Sequence, residues 1–212
     1  MSFKTLKVDG FLPALLGMRL PLKSWEKADS HYVNEEFIVG DNDYKLAKRL
    51  ILAGPEHRKF LRQIQVWVEV EQPRFFFQEW DTYKIATVSN SESTMHKIFS
   101  EEFEFSDFDW PPFENCDKET ELAFENYIKA LRALVNVAKY ETGENKRRYL
   151  QILKGMLPES FIQKRIVSLN YETLLNMYHQ RKNHALPHWN TDFVSWVKTL
   201  PYFEFITCEF DD

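Results

Sequence analysis

The sequence predicts an α+β fold, in which a sheet of few strands packs against long helices. Two segments alternate apolar and polar residues with the period of two that is typical of strands. Several longer segments carry apolar residues at helical spacing, or end at the glycine or proline that commonly terminates a helix. Strands separated by long helices are typical of the α+β class. The 212 residues suit a single domain, which at this length can bury a core without disulfides.

The first half of the chain predicts a helix, a strand and a second, shorter helix. The first helix spans Asp41–Ala53 and ends before Gly54, a common terminator. From Arg62 the pattern changes to strict alternation, with valine or isoleucine at every second position. Pro73 then suits the first turn of a helix over Arg74–Trp80.

The second half of the chain predicts four helices and one strand. Apolar residues at helical spacing indicate that the first of these helices is long and amphipathic. The second helix ends at Pro158 and the third is broken at Pro187, because proline cannot continue a helix. The predicted elements are the helices Thr120–Lys139, Glu144–Leu157, Tyr171–His184 and Asp192–Thr199, with a strand at Phe161–Leu169.

An acidic segment with many aromatic residues, Glu101–Glu121, lies between the two halves. It contains nine acidic residues and one lysine, with two prolines in its middle, and this composition predicts an exposed loop. Its aromatic residues are Phe103, Phe105, Phe108, Trp110 and Phe113. One hypothesis is that they dock on a basic partner, or even mimic nucleic acid. We favour the alternative, a solvated loop whose aromatic side chains fold onto the body of the protein.

Composition and charge disfavour several classes of protein. The net charge of −5 argues against a general nucleic-acid binder, which is usually basic, but not against a small nucleotide ligand. Cys116 and Cys208 lie far apart in the sequence and form neither a metal-binding spacing nor a disulfide framework. The first residues carry no signal-peptide pattern, and no segment approaches membrane-spanning length. We therefore expect a cytoplasmic protein.

The sequence predicts no metal site. His184 and His188 have the spacing of helical metal ligands, but Pro187 lies between them and disrupts the helix. No neighbouring carboxylate or cysteine completes a zinc-binding set. The chain also lacks a P-loop, a dinucleotide-binding fingerprint and a G-x-S-x-G turn.

The stretch Tyr83–His96 is rich in small hydroxyl residues and follows an aromatic helix, as a ligand-binding loop would. The order is a strand, Pro73, a short aromatic helix ending in Trp80, and then Ile-Ala-Thr with an Asn/Ser-rich loop. This order resembles the flavin-dependent thymidylate synthases (ThyX), whose signature reads R-H-R-x-x-S-x-N-E-x-S-x-R-Y after P-x-F-x-x-x-x-W. The segment Thr82–Thr87 then aligns with the start of that signature, and Asn90, Ser93 and His96 follow with one residue inserted.

The second half of the chain resembles the family more closely. The family has an arginine shortly before Leu-Pro, then a strand, then N-x-x-x-L-x-N-x-x-x-x-R and H-A-Q-x-E-I. The matching residues here are Lys154, Leu157, Pro158, Asn170, Leu174, Asn176, Arg181, His184 and Ala185. The resemblance covers about residues 42–200, and residues 1–41 match poorly.

The resemblance implies a fold, a chemistry and an assembly. It implies a single domain over residues 1–212, with a central antiparallel or mixed sheet packed by long helices. It also implies FAD as cofactor, a deoxyuridine nucleotide modified at C5, and methylenetetrahydrofolate and NADPH as further reactants. The family works as a homotetramer, with sites shared between subunits. No membrane partner is expected, and nucleic acid is disfavoured as a partner.

The resemblance also assigns roles to individual residues. Arg181 matches the arginine that faces the uracil ring, where it would stabilise negative charge on the pyrimidine. The nucleotide-binding positions are Lys154, Ser91, Ser93 and Asn90. The cofactor-binding positions are Asn170, Asn176, His184, Tyr83, Lys84 and Thr87. Each has a structural alternative as well; Asn170, for example, is a plausible helix N-cap, and Arg181 suits a helix C-terminus.

The chain departs from the family where the family binds phosphates. The R-H-R positions are Thr82, Tyr83 and Lys84, and the later arginine falls on Met95. The glutamine and glutamate of H-A-Q-x-E fall on Leu186 and His188. Neither Thr, Tyr nor Met can reproduce the planar, bidentate fork of arginine.

Three functions therefore remain open. The first is a divergent flavoenzyme that modifies C5 of a deoxyuridine nucleotide. The second is a non-catalytic protein that binds or sequesters a nucleotide, of viral or mobile-element origin. The third is a protein-interaction module built on a degenerate ThyX scaffold.

Overall fold

The computed structural model describes residues 1–93, 98–99, 102–110 and 116–210. In chain order, the strands are β1 (Ser2–Asp9), β2 (His31–Val33), β3 (Glu36–Ile38), β4 (Gln65–Pro73), β5 (Val88–Ser91) and β6 (Ile162–Asn170). The α-helices are α1 (Phe11–Arg19), α2 (Asp41–Leu52), α3 (Arg74–Trp80), α4 (Lys118–Ala138), α5 (Gly143–Met156), α6 (Tyr171–Arg181), α7 (Val194–Val197) and α8 (Glu204–Thr207). Short 3₁₀ turns lie at Leu20–Leu22, Trp25–Lys27, Lys59–Gln63 and Phe105–Asp107, and a π-helical turn spans His188–Phe193.

The chain divides into two compact units. The first unit contains Met1–Val70, Asp81–Asn90 and Arg165–Asp212. The second unit contains Glu71–Trp80 and Ser91–Lys164. No helix in the described ranges combines the length and the apolar character that crossing a bilayer requires.

Within the described residues, four strands form one sheet in the order β1–β4–β6–β5, and β2 pairs with β3 in a separate antiparallel hairpin. The apolar alternation before and along β4 gives this strand one buried face, and its pairing with β1 and β6 makes it an inner strand. Its side chains Val66, Val68 and Val70 are completely buried, as are Val167 and Leu169 of β6. The mixed architecture of helices and a small sheet confirms the predicted α+β class.

A buried ion pair connects α1 to α2 in the first unit. The Arg19 Nε atom donates to Asp43 Oδ1 at 2.5 Å, and both side chains are almost fully buried. Asp43 also accepts hydrogen bonds from the backbone and hydroxyl groups of Ser30. The Asp29 carboxylate accepts from the first backbone N–H groups of α2, and Gly40 leaves room for it, since a Cβ at Gly40 would lie 2.2 Å from that carboxyl group.

A helical pair, α4 and α5, contributes much of the core of the second unit. Its buried residues include Leu131 and Val135 of α4 and Leu153 of α5. Phe103 and Phe108 of the acidic segment are buried in the same cluster. The prediction of an exposed loop is therefore wrong for these two rings, whereas the favoured alternative, that aromatic side chains fold onto the body of the protein, is confirmed for them. Phe113 lies outside the described residues.

The predicted helices and strands agree closely with the structure, except for the last two helices. The prediction of a loop at Tyr83–His96 is wrong for Val88–Ser91, which form β5. The helices at Asp41, Arg74, Thr120 and Glu144 and both strands are confirmed within three residues at each end. The helix predicted to reach His184 ends at Arg181, where Lys182 caps it, and a tight turn follows in which His184 N bonds to Arg181 O. The helical segment predicted from Asp192 begins earlier, at His188, as a π-helical turn. The prediction of a single domain stays a prediction.

Candidate functional site

A pocket of about 520 Å³ lies in the first unit, beside the segment Thr82–Ala86 and the start of α6. This volume falls within the range of about 300–1,000 Å³ that is typical of small-molecule sites. Four of the residues predicted for the site line this pocket: Tyr83, Lys84, Asn170 and Asn176. Thr82, which takes the first position of the family's R-H-R signature, lines it as well.

Tyr83 is fixed by hydrogen bonds to the C-terminal end of α6. Its hydroxyl donates to Gln180 Oε1 at 3.0 Å and accepts from Arg181 Nε at 2.9 Å. The guanidinium group of Arg181 also lies over two aromatic rings, 5.6 Å from the centroid of Tyr83 and 4.9 Å from that of Trp189. These cation–π contacts hold Arg181 half-buried and in one orientation.

A second contact ties the loop to the first turn of α6. Thr173 Oγ1 donates to the carbonyl oxygen of Ile85 at 3.2 Å. The next residue, Ala86, has a φ of 56°, a left-handed conformation that is unfavourable for a residue with a Cβ. The loop is therefore attached at both Tyr83 and Ile85, and this attachment shapes one wall of the pocket.

Asn170 is the N-cap of α6. Its Oδ1 atom accepts from Thr173 N at 2.9 Å, and the side chain is 3% exposed. Asn170 therefore has the structural role of a helix N-cap, which the sequence offered as the alternative to cofactor binding. The amide group of the same side chain carries two further donor hydrogens, and Asn170 lines the pocket, so capping does not prevent it from contacting a ligand. Asn176, on α6, is exposed at the pocket wall.

The charged residues around the pocket leave a positive surplus. Arg62 and Lys84 line it with exposed cationic side chains. The one carboxylate in its lining, that of Glu172, is 7% exposed and accepts from Arg58 Nε at 3.0 Å, so its charge is balanced by a cation outside the pocket. A pocket with two cations and a neutralised acid favours an anionic ligand.

Two groups of α6 outside the pocket wall have shifted pKa values. Burial lowers the pKa of the His179 imidazole, and the positive charges of Lys182 and Arg58 lower this pKa further. Burial raises the pKa of the Tyr178 phenol to about 12, with help from its hydrogen bond to the Glu209 carboxylate. Both shifts favour the uncharged form of the group.

Other predicted site residues of the first unit lie outside the pocket lining. Thr87 is half-buried beside the loop, and Asn90 is exposed on β5. His184 belongs to the turn that follows α6, where its Nδ1 atom accepts from Leu186 N at 3.2 Å and its carbonyl oxygen accepts from Asn190 Nδ2 at 2.7 Å. The geometry of His184 is thus that of a turn residue next to Trp189.

Three predicted nucleotide-binding residues belong to the second unit. Ser91 ends β5, Ser93 follows shortly after it, and Lys154 lies in the last turn of α5; all three are exposed. Met95 and His96 lie outside the described residues. In the described part of the chain, no group of three His, Cys, Asp or Glu side chains is placed to hold a metal ion.

The sequence did not identify Arg62 or Gln65, which also line the pocket. Both stand at the start of the alternating pattern of β4, Gln65 at a polar position of it. The available signal was the polar residue Gln65 at the start of an alternating strand. Whether Gln65 faces the predicted ligand loop depends on the strand order, which the sequence does not reveal.

Comparison with known proteins identifies the family. The family model described as thymidylate synthase complementing protein matches residues 14–196. Two similar solved structures are of flavin-dependent thymidylate synthase ThyX from Helicobacter pylori, each with FAD and dUMP. The first has a TM-score of 0.68 and 16% identity, covering 100% of both chains. The second has a TM-score of 0.71 and 17% identity, covering 99% of this chain and 98% of the other.

No curated protein sequence matches the chain. The solved structures share its fold over nearly the whole length, which confirms the ThyX-like architecture that the sequence motifs predicted. On the strength of the family match across residues 14–196, this chain belongs to the thymidylate synthase complementing protein family.

Proposed function

We propose that this chain is a nucleotide-binding protein on the ThyX fold, with its ligand in the pocket beside Tyr83 and α6. The observation that carries the proposal is the pairing of a ligand-sized pocket with two exposed cations, Arg62 and Lys84. The Helicobacter pylori structures of the same fold contain FAD and dUMP, both of which are nucleotides with phosphate groups. An anionic ligand with a planar base suits a pocket that also presents Tyr83 and the amide of Asn176.

The residues present fit a nucleotide phosphate better than they fit the full cofactor set of the family. The resemblance assigns flavin and nucleotide phosphates to R-H-R, and here Thr82, Tyr83 and Lys84 occupy those positions. The Tyr83 hydroxyl already bonds to Gln180 and Arg181. Lys84 supplies a point charge where an arginine would supply a bidentate fork. We therefore favour binding or sequestration of a nucleotide over flavin-dependent catalysis.

The second candidate is a flavin-dependent enzyme that modifies C5 of a deoxyuridine nucleotide, with NADPH and methylenetetrahydrofolate. The observation that favours it is the fixed, half-buried guanidinium group of Arg181, held by Tyr83 and Trp189. A preorganised positive charge stabilises the negative charge that develops on a pyrimidine during such chemistry. FAD, when bound, would supply the redox chemistry. Asn170 and Asn176 are the pocket residues whose amides would contact it.

The deciding experiment is to denature freshly purified native protein and identify the released small molecules by mass and absorbance. We expect a nucleotide without flavin. Release of flavin together with a uridine nucleotide would instead establish the second candidate. If nothing is released, calorimetric titration with mono-, di- and cyclic nucleotides follows, and absence of heat with all of them would contradict the proposal.

A matched pair of variants locates the binding site. Lys84→Gln removes a cation from the pocket wall and should weaken nucleotide binding by about tenfold, since a charge-assisted hydrogen bond contributes about 1.5–3 kcal/mol. Lys4→Gln removes the same charge from an exposed position on β1 and should leave affinity within about twofold. Equal effects of the two substitutions would mean that the ligand does not bind at Lys84.

A further inference from the structure

A second and larger cavity lies in the first unit, away from the candidate pocket. Its volume is about 1,040 Å³, at the upper end of the range for small-molecule sites. It is lined by the end of α1, one side of α2 and the 3₁₀ turns at Leu20–Leu22, Trp25–Lys27 and Lys59–Gln63. None of its lining residues lines the pocket beside Tyr83. The family resemblance assigned no ligand-binding residue to this cavity.

Arg19 is a buried cation in the lining of this cavity, and its hydrogen bonding is incomplete. Its side chain is 3% exposed. The Nε atom donates to Asp43, and the Nη1 atom makes a long contact of 3.5 Å with the carbonyl oxygen of Ser24. The Nη2 atom is buried and has no hydrogen-bond partner in the described part of the chain. Buried polar groups are nearly always satisfied, so Arg19 is a buried cation whose hydrogen bonding Asp43 and Ser24 only partly satisfy.

The cavity carries a positive surplus around Arg19. Lys45 and Arg49 stand one turn apart on α2, and Lys27 and Lys59 come from two 3₁₀ turns. No ion pair involves any of these four side chains within the described ranges.

Two acids, Glu26 and Glu56, also line the cavity. Because Asp43 balances Arg19, four cations against two acids leave a surplus of two positive charges. A local positive surplus in a protein of net charge −5 favours an anionic ligand.

The same cavity has an apolar wall. Leu46 and Leu50 directly follow Lys45 and Arg49 in the sequence, so α2 presents charged and apolar side chains side by side. Leu22, in the first 3₁₀ turn, is 78% exposed at the cavity, and Leu20 is 56% exposed. Exposed leucines in a concave, basic surface fit a ligand that has an apolar body as well as negative charge.

We propose that this cavity is a second ligand site, which binds a phosphorylated small molecule with an apolar body. The phosphate lies against the cations of α2, in the cavity that Arg19 also lines. Arginine and lysine together suit a phosphate because one supplies a planar fork and the other a point charge. The apolar body lies against Leu22 and the leucines of α2.

Calorimetry with phenyl phosphate as the probe tests this site, with inorganic phosphate for comparison. We expect Arg49→Gln to weaken phenyl phosphate binding by about tenfold, the effect of one charge-assisted hydrogen bond. Lys48→Gln is the matched control, because Lys48 is on the same helix but places its ammonium over the Phe210 ring, outside the cavity. It should change the affinity by less than about twofold. Arg49 is exposed, so its substitution leaves the core intact.

The apolar part of the proposal has its own measurement. Phenyl phosphate should bind the native protein more tightly than inorganic phosphate, and Leu22→Ser should remove most of that difference. Four results would overturn the proposal: no binding of phenyl phosphate to the native protein, no effect of Arg49→Gln, equal losses in Arg49→Gln and Lys48→Gln, or no preference over inorganic phosphate. Loss of binding in Lys84→Gln, with retention in Arg49→Gln, would place the probe in the pocket beside Tyr83 and would equally reject a second site.

Discussion

A single phenol hydroxyl connects the loop of the candidate pocket to α6. Tyr83 donates to Gln180 and accepts from Arg181, so one atom positions both a pocket-wall amide and the cation predicted to face a pyrimidine. The family histidine at this position has no hydroxyl group, so the substitution changes what holds Arg181 in place. The loop conformation and the orientation of Arg181 therefore depend on each other through Tyr83.

Removal of that hydroxyl should cost stability without unfolding the protein. Tyr83→Phe deletes two hydrogen bonds in a half-exposed setting, where their net contribution is about 1 kcal/mol. We expect a loss of that size in the free energy of unfolding, measured by urea denaturation. Tyr140→Phe is the control, since Tyr140 is 84% exposed. A loss no larger than that of the control would show that the Tyr83 contacts contribute nothing to the folded state.

At the scale of elements, α1 and α2 are held together by charge as well as by apolar packing. Asp43 lies on the buried face of α2, one turn before Ala47, and pairs with Arg19 at the end of α1. Burial alone would raise the pKa of Asp43, but hydrogen bonds from Ser30, from Arg19 and from the backbone of Asp29 together lower this pKa below its ordinary value of 3.8. The Asp43 carboxylate therefore binds a proton less readily in the native state than in the unfolded chain.

Asp43→Asn should destabilise the protein strongly, and by an amount that depends on pH. The variant leaves the Arg19 charge buried without its carboxylate, which costs about 3–5 kcal/mol. Because the folded pKa of Asp43 is depressed, the ionised carboxylate contributes fully above the unfolded pKa of 3.8, and this contribution is lost as pH falls through the folded pKa. The difference in unfolding free energy from native protein should thus be constant from about pH 5 to 7 and shrink below about pH 4.

The control for that series is Asp41→Asn, which removes the same charge from an exposed position in the first turn of α2. It should cost about 0.3–1 kcal/mol, the value of a helix-dipole interaction. If the difference in unfolding free energy between Asp43→Asn and native protein stayed constant down to about pH 3, the depressed pKa assigned to Asp43 would be contradicted.

A comparison of α2, β4 and β1 shows which elements the sequence could predict. The spacing and the terminator Gly54 predicted α2, and strict alternation predicted β4, because in both cases one face is buried more deeply than the other. Six of the eight residues of β1 are exposed, so no alternation marks it. Asp43 is a buried acid, and its role depends on Arg19, 24 residues earlier, a pairing that no local pattern reveals.

For the whole molecule, the family motifs predicted more than the local patterns did. The register from Lys154 to Arg181 predicted the ThyX-like fold, which the solved structures confirm. Tyr83, Lys84, Asn170 and Asn176 line one pocket, but Arg181 and Lys154 do not, and the site that the motifs assign stays a prediction. Motifs predict well where a backbone conformation or a cap fixes the residue type. They missed Arg62, because its relation to the pocket comes from the order of strands and not from any signature.

The resemblance also implies a homotetramer, and two exposed apolar side chains near the pocket show where to test it. Ile85 is 86% exposed on the pocket loop, and Val88 is 65% exposed at the start of β5. Because family sites are shared between subunits, we expect a neighbouring subunit to cover this loop. Light scattering after gel filtration should then give four times the chain mass of 25.4 kDa.

Ile85→Asp should shift this mass to a smaller species, because it places a charge where an apolar contact is expected. Leu52→Asp is the control, since Leu52 is 61% exposed at the end of α2, away from the pocket lining. A native mass equal to one chain would reject the tetramer. A tetramer that Ile85→Asp leaves intact would place the subunit contacts elsewhere and would reject the expectation that a neighbouring subunit covers this loop.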